Sequence, residues 1–258
     1  MAITFEKKER IAYVTINRPE VMNALNLESV KELSEALIEF RDDDELRVAI
    51  ITGAGDKAFC AGADLKGGLL KFLMEEAIDK PWRLPPTIFR GLELWKPVIA
   101  AINGLAFGGG LELALACDLR VASQNAMFGT PEVALGALPG WGGTQRLARF
   151  VPRCKAAEIL LLGLPIDAQE AYRIGLVNKV VPPAQVIPAA QEWAVRLCEV
   201  APMAVKAIKE AMNRGADATL EEGLRLEWLL AAQLFASDDM QEGMRAFVEK
   251  RKPQFKGK

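Results

Sequence analysis

The sequence predicts an α/β fold, and two kinds of segment lead to that prediction. Apolar runs at residues 48–53 and 98–104 each end at a glycine, which is typical of strands covered on both faces. Helical patterns alternate with these runs, the first of them at residues 26–40. Because 51% of the 258 residues are apolar, the chain can fill a large core.

The other elements follow from similar signals along the chain. Further strands are expected at residues 10–16, 119–123 and 176–181. Further helices are expected at residues 144–150 and 156–162, and after the N-cap residue Asp167 as far as Gly175.

The last quarter of the chain differs from the rest in its composition. Residues 184–250 are nearly all helix-forming. Four residues mark candidate breaks there: Pro202, Gly215, Gly223 and Ser237. We therefore expect a core at residues 1–195 and a helical region at residues 196–258. Short helices with apolar faces are commonly buried against a partner subunit, so we also expect an oligomer.

Charge and apolar patterning exclude several classes of protein. A net charge of -2 is unlike the basic surplus of nucleic-acid-binding proteins. The apolar stretch at residues 98–117 has the length of a membrane span, but Asn103 and Glu112 would be costly in lipid. We expect a buried strand, a tight loop and a buried helix there, and no membrane partner.

Cysteine usage and the start of the chain favour a cytoplasmic protein. The four cysteines form no CxxC pair and are typical of buried residues in a reducing compartment. The chain enters its first predicted strand without a charged and then apolar leader, so no secretory signal is expected.

The sequence contains no histidine, and this limits its chemistry. Acid–base catalysis must then use Glu, Asp, Lys, Tyr or Cys. Catalysis by Ser-His-Asp or Cys-His groups and histidine metal sites are excluded, and no metal site is expected. Two glutamates stand beside glycine or proline: Glu112 follows Gly108–Gly110, and Glu132 follows Pro131. A glycine at a helix start lets a backbone N–H approach a ligand closely.

Each glutamate also has a purely structural interpretation. Glu112 can form an ion pair within its helix, and Glu132 can be a first-turn acid after a proline. However, Glu112 lies within the apolar run 111–116, where an unpaired carboxylate is expensive. We therefore favour a catalytic pair.

Residues 58–65 (AFCAGADL) and 106–113 (AFGGGLEL) share the pattern Ala-Phe-x-x-Gly-x-acid-Leu. This similarity indicates either successive turns of a solenoid-like fold or a chance match between segments rich in Gly and Ala.

Four segments, in order, resemble the crotonase, or enoyl-CoA hydratase/isomerase, superfamily. They are AFCAGADLK at 58–66, NGLAFGGGLEL at 103–113, FGTPE at 128–132 and LPGWGGTQRL at 138–147. The resemblance implies a crotonase spiral of repeated ββα turns, a C-terminal trimerisation region in a homotrimer or homohexamer, and acyl-CoA substrates. Coenzyme A then enters with the substrate, and no other cofactor is expected.

The resemblance also implies an oxyanion hole and two acid–base roles. The backbone N–H groups of Ala63 and Gly109 would stabilise the enolate oxygen of the thioester. Glu112 would draw a proton from the attacking water, and Glu132 would protonate the α-carbon. This predicts hydration of a 2-enoyl-CoA to a 3-hydroxyacyl-CoA. A carnitinyl-CoA dehydratase, a hydratase of cyclic dienoyl-CoA, an enoyl-CoA isomerase and a non-catalytic RNA-binding relative are the alternatives.

Six further residues match family positions that contact the substrate or its CoA moiety: Ala61, Asp64, Leu65, Lys66, Gly140 and, from a neighbouring subunit, Lys250. The two lysines can equally be solvated surface residues. Trp141 is bulkier than the small residue expected at its position. Residues 67–86 are the expected variable wall of the acyl pocket.

Overall fold

The computed structural model describes residues 1–72, 74–75 and 86–258. Within them the strands are β1 (Ile3–Lys8), β2 (Ile11–Ile16), β3 (Val48–Gly53), β4 (Ala58–Cys60), β5 (Val98–Ile102), β6 (Leu105–Phe107), β7 (Leu119–Ser123), β8 (Met127–Gly129), β9 (Ile166–Asp167) and β10 (Lys179–Val181).

The α-helices of the described residues are α1 (Leu27–Asp42), α2 (Leu69–Phe72), α3 (Gly109–Ala116), α4 (Gly143–Phe150), α5 (Arg153–Leu162), α6 (Ala168–Arg173), α7 (Val186–Glu199), α8 (Pro202–Gly215), α9 (Leu220–Phe235) and α10 (Asp238–Val248). Short 3-10 helices lie at Pro19–Val21, Pro131–Leu135 and Pro183–Gln185.

The strands form two sheets that the chain visits in turn. One sheet has the order β1-β2-β3-β5-β7-β10, and the other has the order β4-β6-β8-β9. The consecutive pairs β3 and β4, β5 and β6, and β7 and β8 each place one strand in each sheet, and the neighbouring turns pair in parallel. The chain therefore winds as a spiral, and the predicted α/β fold of repeated turns is confirmed.

Strands β3 and β5 are apolar except for Thr52, because both of their faces are covered. Ala49 and Ile51 point into the main core, whereas Val48 and Ile50 point to the opposite face. There they pack with Ala190 and other small residues of α7, which lies across β3, β5 and β7. The uninterrupted apolar runs of the sequence follow from this double burial.

The repeated sequence pattern corresponds to adjacent turns of the spiral. Strand β4 pairs in parallel with β6, through Ala58 with Leu105 and Cys60 with Ala106. The two phrases diverge after the strands, because residues 65–68 form a turn whereas Gly109 begins α3. The structural interpretation of the repeat is therefore correct.

The closing strand is shorter than predicted. It covers only Lys179–Val181 rather than residues 176–181. The amides of Leu176 and Val177 donate instead to the carbonyl oxygen of Ala171 at the end of α6. These two residues terminate a helix, so they are not available to the sheet.

The predicted break at Gly223 is wrong, whereas breaks do occur at Pro202, Gly215 and Ser237. Helix α9 runs through Gly223 because a capping box of Thr219 and Glu222 starts it. Gly223 faces Gly215 of α8, where an added Cβ would make an ordinary van der Waals contact at 3.7 Å.

Helix α7 spans the position at which we divide the core, residues 1–195, from the helical region, residues 196–258, and that division stays a prediction. In the described parts of the chain, no helix is both long and apolar enough to cross a membrane.

Candidate active site

The start of α3 is pressed directly against the end of β4. A Cβ added at Gly110 would overlap the carbonyl oxygen of Cys60, so only glycine permits this approach. Gly108, the residue before the helix, has a φ of 52°, in the left-handed region that favours glycine. The glycine run predicted to start a helix therefore does so, and it sets the helix beside the loop at residues 61–64.

Two backbone N–H groups at this junction have no partner in the part of the chain that the structure describes. Leu25 pairs with Ala63 through its bonds to Gly62 and Asp64, so the Ala63 N–H is directed away from Leu25. The Gly109 N–H is the first of α3. Neither N–H has a backbone or side-chain acceptor among the described residues. Unpaired donors at a helix start favour a negatively charged oxygen.

The two loops that carry these donors are in contact. The Gly109 nitrogen lies 3.0 Å from the position that a Cβ on Gly62 would occupy. Asn103, which follows β5, joins this turn to the preceding one. Its side-chain nitrogen donates to the carbonyl oxygens of Gly53, Gly55 and Ala58, from the end of β3 to the start of β4. The Ala63 and Gly109 amides are thus fixed by the packing of successive turns.

Glu112 lies one turn into α3, and only 2% of its surface is exposed. Its Oε1 accepts hydrogen bonds from the backbone N–H groups of Trp141, at 2.6 Å, and Gly143, at 2.7 Å. Burial raises the pKa of this carboxyl to about 7, although the two N–H donors act in the opposite direction. The negative charge of Glu132 contributes to the increase.

Glu132 lies in the first turn of the 3-10 helix at Pro131–Leu135 and is half-buried. Its Oε1 approaches Gly108, where an added Cβ would lie 2.8 Å away. Its Oε2 is buried and has no hydrogen-bond partner in the described part of the chain. Burial raises the pKa of this carboxyl as well. A buried oxygen without a partner is costly and suggests a group that the substrate or water satisfies.

Arg146 is a feature of the site that sequence reasoning missed. One of its terminal nitrogens donates to the Trp141 carbonyl oxygen at 3.0 Å and the other to the Phe89 carbonyl oxygen at 2.8 Å. Its positive charge also acts to lower the pKa of Glu112. The only sequence signal was its place in the LPGWGGTQRL segment, which gave it no separate role.

The other predicted substrate residues are divided between the loop after β4 and more distant positions. Ala61 is half-buried, and its N–H donates to the Met22 carbonyl oxygen, whereas Leu65 and Lys66 are exposed on the turn that follows. Asp64 is directed inward and pairs with Arg18 at 3.0 Å, which holds the pKa of its carboxyl below the ordinary value.

Gly140 is exposed in the loop between Glu132 and α4. Lys250 is exposed beyond the end of α10. Of the predicted pocket wall at residues 67–86, residues 73 and 76–85 lie outside the described residues.

The remaining reactive groups contribute little to this site. The Cys60 thiol is fully buried, and burial raises its pKa to about 12, so the residue packs rather than reacts. In the described ranges, no group of three Cys, Asp or Glu side chains is arranged to hold a metal ion.

Comparisons with known proteins show what this chain is similar to. The family model described as enoyl-CoA hydratase/isomerase matches residues 6–258. The chain is 45% identical to an (E)-benzylidenesuccinyl-CoA hydratase of Thauera aromatica, over 100% of both chains. It is also 45% identical to a short-chain-enoyl-CoA hydratase of Clostridium acetobutylicum, over 97% of this chain and 95% of that one.

A crystal structure of an enoyl-CoA hydratase from Bacillus anthracis superposes with a TM-score of 0.93. It shares 39% sequence identity with this chain and covers 100% of both chains.

Proposed function

This chain belongs to the enoyl-CoA hydratase/isomerase family, and we propose that it reversibly hydrates a 2-enoyl-CoA thioester to a 3-hydroxyacyl-CoA. The observation that carries the proposal is a pair of carboxyls at the start of α3: Glu112 is buried one turn into the helix, and the half-buried Glu132 approaches Gly108, the residue before it. An acid and a base of raised pKa beside unpaired N–H donors suit proton transfer next to a carbonyl.

In the proposed reaction, the thioester oxygen accepts hydrogen bonds from the N–H groups of Ala63 and Gly109. Negative charge that develops on this oxygen as the double bond is attacked is stabilised by both donors and by the positive end of α3. Each such donor contributes about a hundredfold or more in rate.

Glu112 acts as the base. Its Oε1 is occupied by the N–H groups of Trp141 and Gly143, so Oε2 is the atom that takes a proton from water. The water oxygen forms a bond to the β-carbon, and the C=C π electrons shift to the α-carbon and the thioester oxygen. Glu132 then gives its proton to the α-carbon. The sum is the addition of one water molecule across the double bond.

Six further residues complete the proposed binding site. Ala61, Asp64 and Leu65 shape the loop that carries the Ala63 amide, and Gly140 lies in the loop beside Glu112. Lys66, together with the Lys250 of a neighbouring copy, contacts the anionic CoA moiety. The exposure of both lysines is compatible with phosphate binding.

The direct test is the absorbance of the conjugated enoyl thioester. On addition of the protein, crotonyl-CoA is expected to lose this absorbance until equilibrium, and 3-hydroxybutyryl-CoA is expected to appear by mass spectrometry. Formation of a 3-enoyl isomer without a gain of water would instead indicate an isomerase. Absence of turnover with every short enoyl-CoA, together with tight RNA binding, would overturn the proposal.

We also propose a homotrimer or homohexamer that assembles through the C-terminal helices. Large apolar side chains are exposed on these helices in the single chain: Leu220 (79%), Trp228 (67%), Phe247 (86%) and Val248 (79%). Exposed apolar area of this extent is typical of an interface. Light scattering after size-exclusion chromatography is expected to give a molar mass three or six times that of one chain. The mass of a monomer would contradict this proposal.

The proposed reaction requires no metal and no redox cofactor, because both proton transfers and charge stabilisation are assigned to protein groups. Dialysis against a chelator is expected to leave the hydration rate unchanged, and a loss that Zn²⁺ or Mg²⁺ restores would contradict this. We propose a cytoplasmic location, which agrees with the four free cysteines.

A further inference from the structure

The indole of Trp141 covers one side of the start of α3. A Cβ added at Gly109 would lie 2.6 Å from Cζ3 and 2.7 Å from Cε3 of the indole. Glu132 approaches the preceding residue, Gly108, so the two side chains contact successive residues of the same turn. The backbone N–H of Trp141 is also bonded to Glu112. Trp141 therefore contacts the proposed oxyanion donor through its indole and the proposed base through its backbone N–H.

A second ring holds the indole in this position. Phe89 stacks on Trp141 with ring centroids 4.7 Å apart and an angle of 34° between their planes. Phe89 is itself buried. The guanidinium of Arg146 bonds to the carbonyl oxygens of both aromatic residues and so ties the two loops together. Two stacked rings joined through their backbones form a stiff wall, which we call the aromatic wall (Phe89 and Trp141).

The position of the wall relative to the proposed reaction determines what it contacts. In the proposed reaction the thioester oxygen lies on the Gly109 N–H and the β-carbon lies near Glu112, so the reacting carbons lie between two groups that Trp141 contacts. Acyl carbons added beyond the β-carbon are then expected to compete with the indole for the space beside Gly109, whereas a four-carbon group has only one such carbon. Closely packed side chains discriminate against added methylenes.

We propose that the aromatic wall makes this protein selective for short-chain 2-enoyl-CoA thioesters, with Trp141 as the residue that limits acyl length. The inference rests on the proposed function. It also assigns a role to the bulky residue that the sequence showed where a small one was expected. The role belongs to the side chain alone, because any residue except proline at 141 can provide the N–H that holds Glu112.

The test compares acyl lengths in the wild type and in Trp141→Ala. In the wild type, kcat/KM is expected to be at least about tenfold lower for the ten-carbon 2-enoyl-CoA than for crotonyl-CoA. Trp141→Ala is expected to raise the ratio of ten-carbon to four-carbon kcat/KM by about tenfold or more. Trp141→Phe keeps a ring on Phe89 and is expected to shift the ratio less, in the same direction. If Trp141→Ala does not fold, the ratio measured for Trp141→Phe tests the proposal.

Trp193→Ala is the matched control, because Trp193 is a half-buried indole of α7 that packs on the opposite face of the sheet. It is expected to leave the ratio unchanged. The proposal is overturned if the wild type hydrates both lengths equally, if it prefers cinnamoyl-CoA to crotonyl-CoA, or if folded Trp141 variants keep the wild-type ratio.

Binding of saturated acyl-CoA separates this inference from the proposed function. Calorimetry is expected to show that the wild type binds butyryl-CoA more tightly than decanoyl-CoA and that Trp141→Ala reverses this order. If this reversal of affinity is observed but no enoyl-CoA is hydrated, the proposed reaction is refuted and the role of the aromatic wall in selecting acyl length stands. Hydration with equal binding of both lengths would refute the wall alone.

Discussion

Gly110 lies against the carbonyl oxygen of Cys60 so closely that no side chain fits between them. This contact joins α3 to the end of β4, and it brings the Gly109 N–H to the loop of Ala63. The proposed oxyanion hole therefore depends on a backbone contact between two turns of the spiral.

Gly110→Ala is expected to force α3 away from β4. We expect a loss of about 2–4 kcal/mol in the free energy of unfolding, because neither backbone can yield easily. Chemical denaturation measures the change. Gly215→Ala is the control, since its Cβ would meet only the Gly223 Cα, at 3.9 Å. Equal stability of the two variants would contradict the close packing described here.

Glu112→Gln and Glu132→Gln are each expected to lower kcat for crotonyl-CoA by about 10²–10⁴. The amide cannot exchange a proton at neutral pH, but it has almost the same shape, so circular dichroism should be unchanged. Glu158→Gln, on the exposed side of α5, serves as the control. If either active-site variant turns over at the wild-type rate, its assigned role is wrong.

The pH profile of kcat/KM is expected to rise through about pH 7, because Glu112 must be ionised to act as a base and burial raises its pKa to about 7. The profile is also expected to have a falling limb, where Glu132, whose pKa burial raises as well, loses the proton that it donates. The two limbs belong to the coupled pair rather than to either residue alone. A flat profile between pH 5 and pH 8 would contradict these roles.

Glu112→Gln is also expected to stabilise the fold above pH 7. The folded-state pKa of Glu112, about 7, exceeds the unfolded value of 4.5, so the folded state binds more protons between these values and its stability falls as pH rises. Glutamine removes this loss and can still accept both N–H bonds. The gain is at most about 3 kcal/mol at pH 8 and is expected to vanish below pH 4.5. Thermal unfolding at several pH values measures it.

Much of the fold is predictable from local sequence, because its central strands are buried on both faces and its helices carry recognisable caps. The N-cap residues Asn26 and Asp167 fix helix starts in this way. Gly223 misled the prediction because a glycine costs a helix only about 1 kcal/mol, and the capping box at Thr219 and the packing of α9 on α8 stabilise the helix. That packing involves two segments whose proximity no local pattern reports.

The site was predictable in its residue types but not in its connections. A glutamate within an apolar run indicates a special environment, and Glu112 is indeed buried. Its two backbone donors, at 141 and 143, lie about one further turn of the spiral along the chain, and amide groups carry no sequence signal. Arg146 was missed for the same reason, since both of its acceptors are main-chain oxygens.

The anchoring of Glu112 by main-chain rather than side-chain groups has a consequence for how such a protein can diversify. The amide of residue 141 persists through any substitution other than proline, whereas the indole that it carries is free to be exchanged. The side chain at this position can therefore be substituted without loss of the hydrogen bond that holds the proposed base. Substrate specificity can then change through active intermediates.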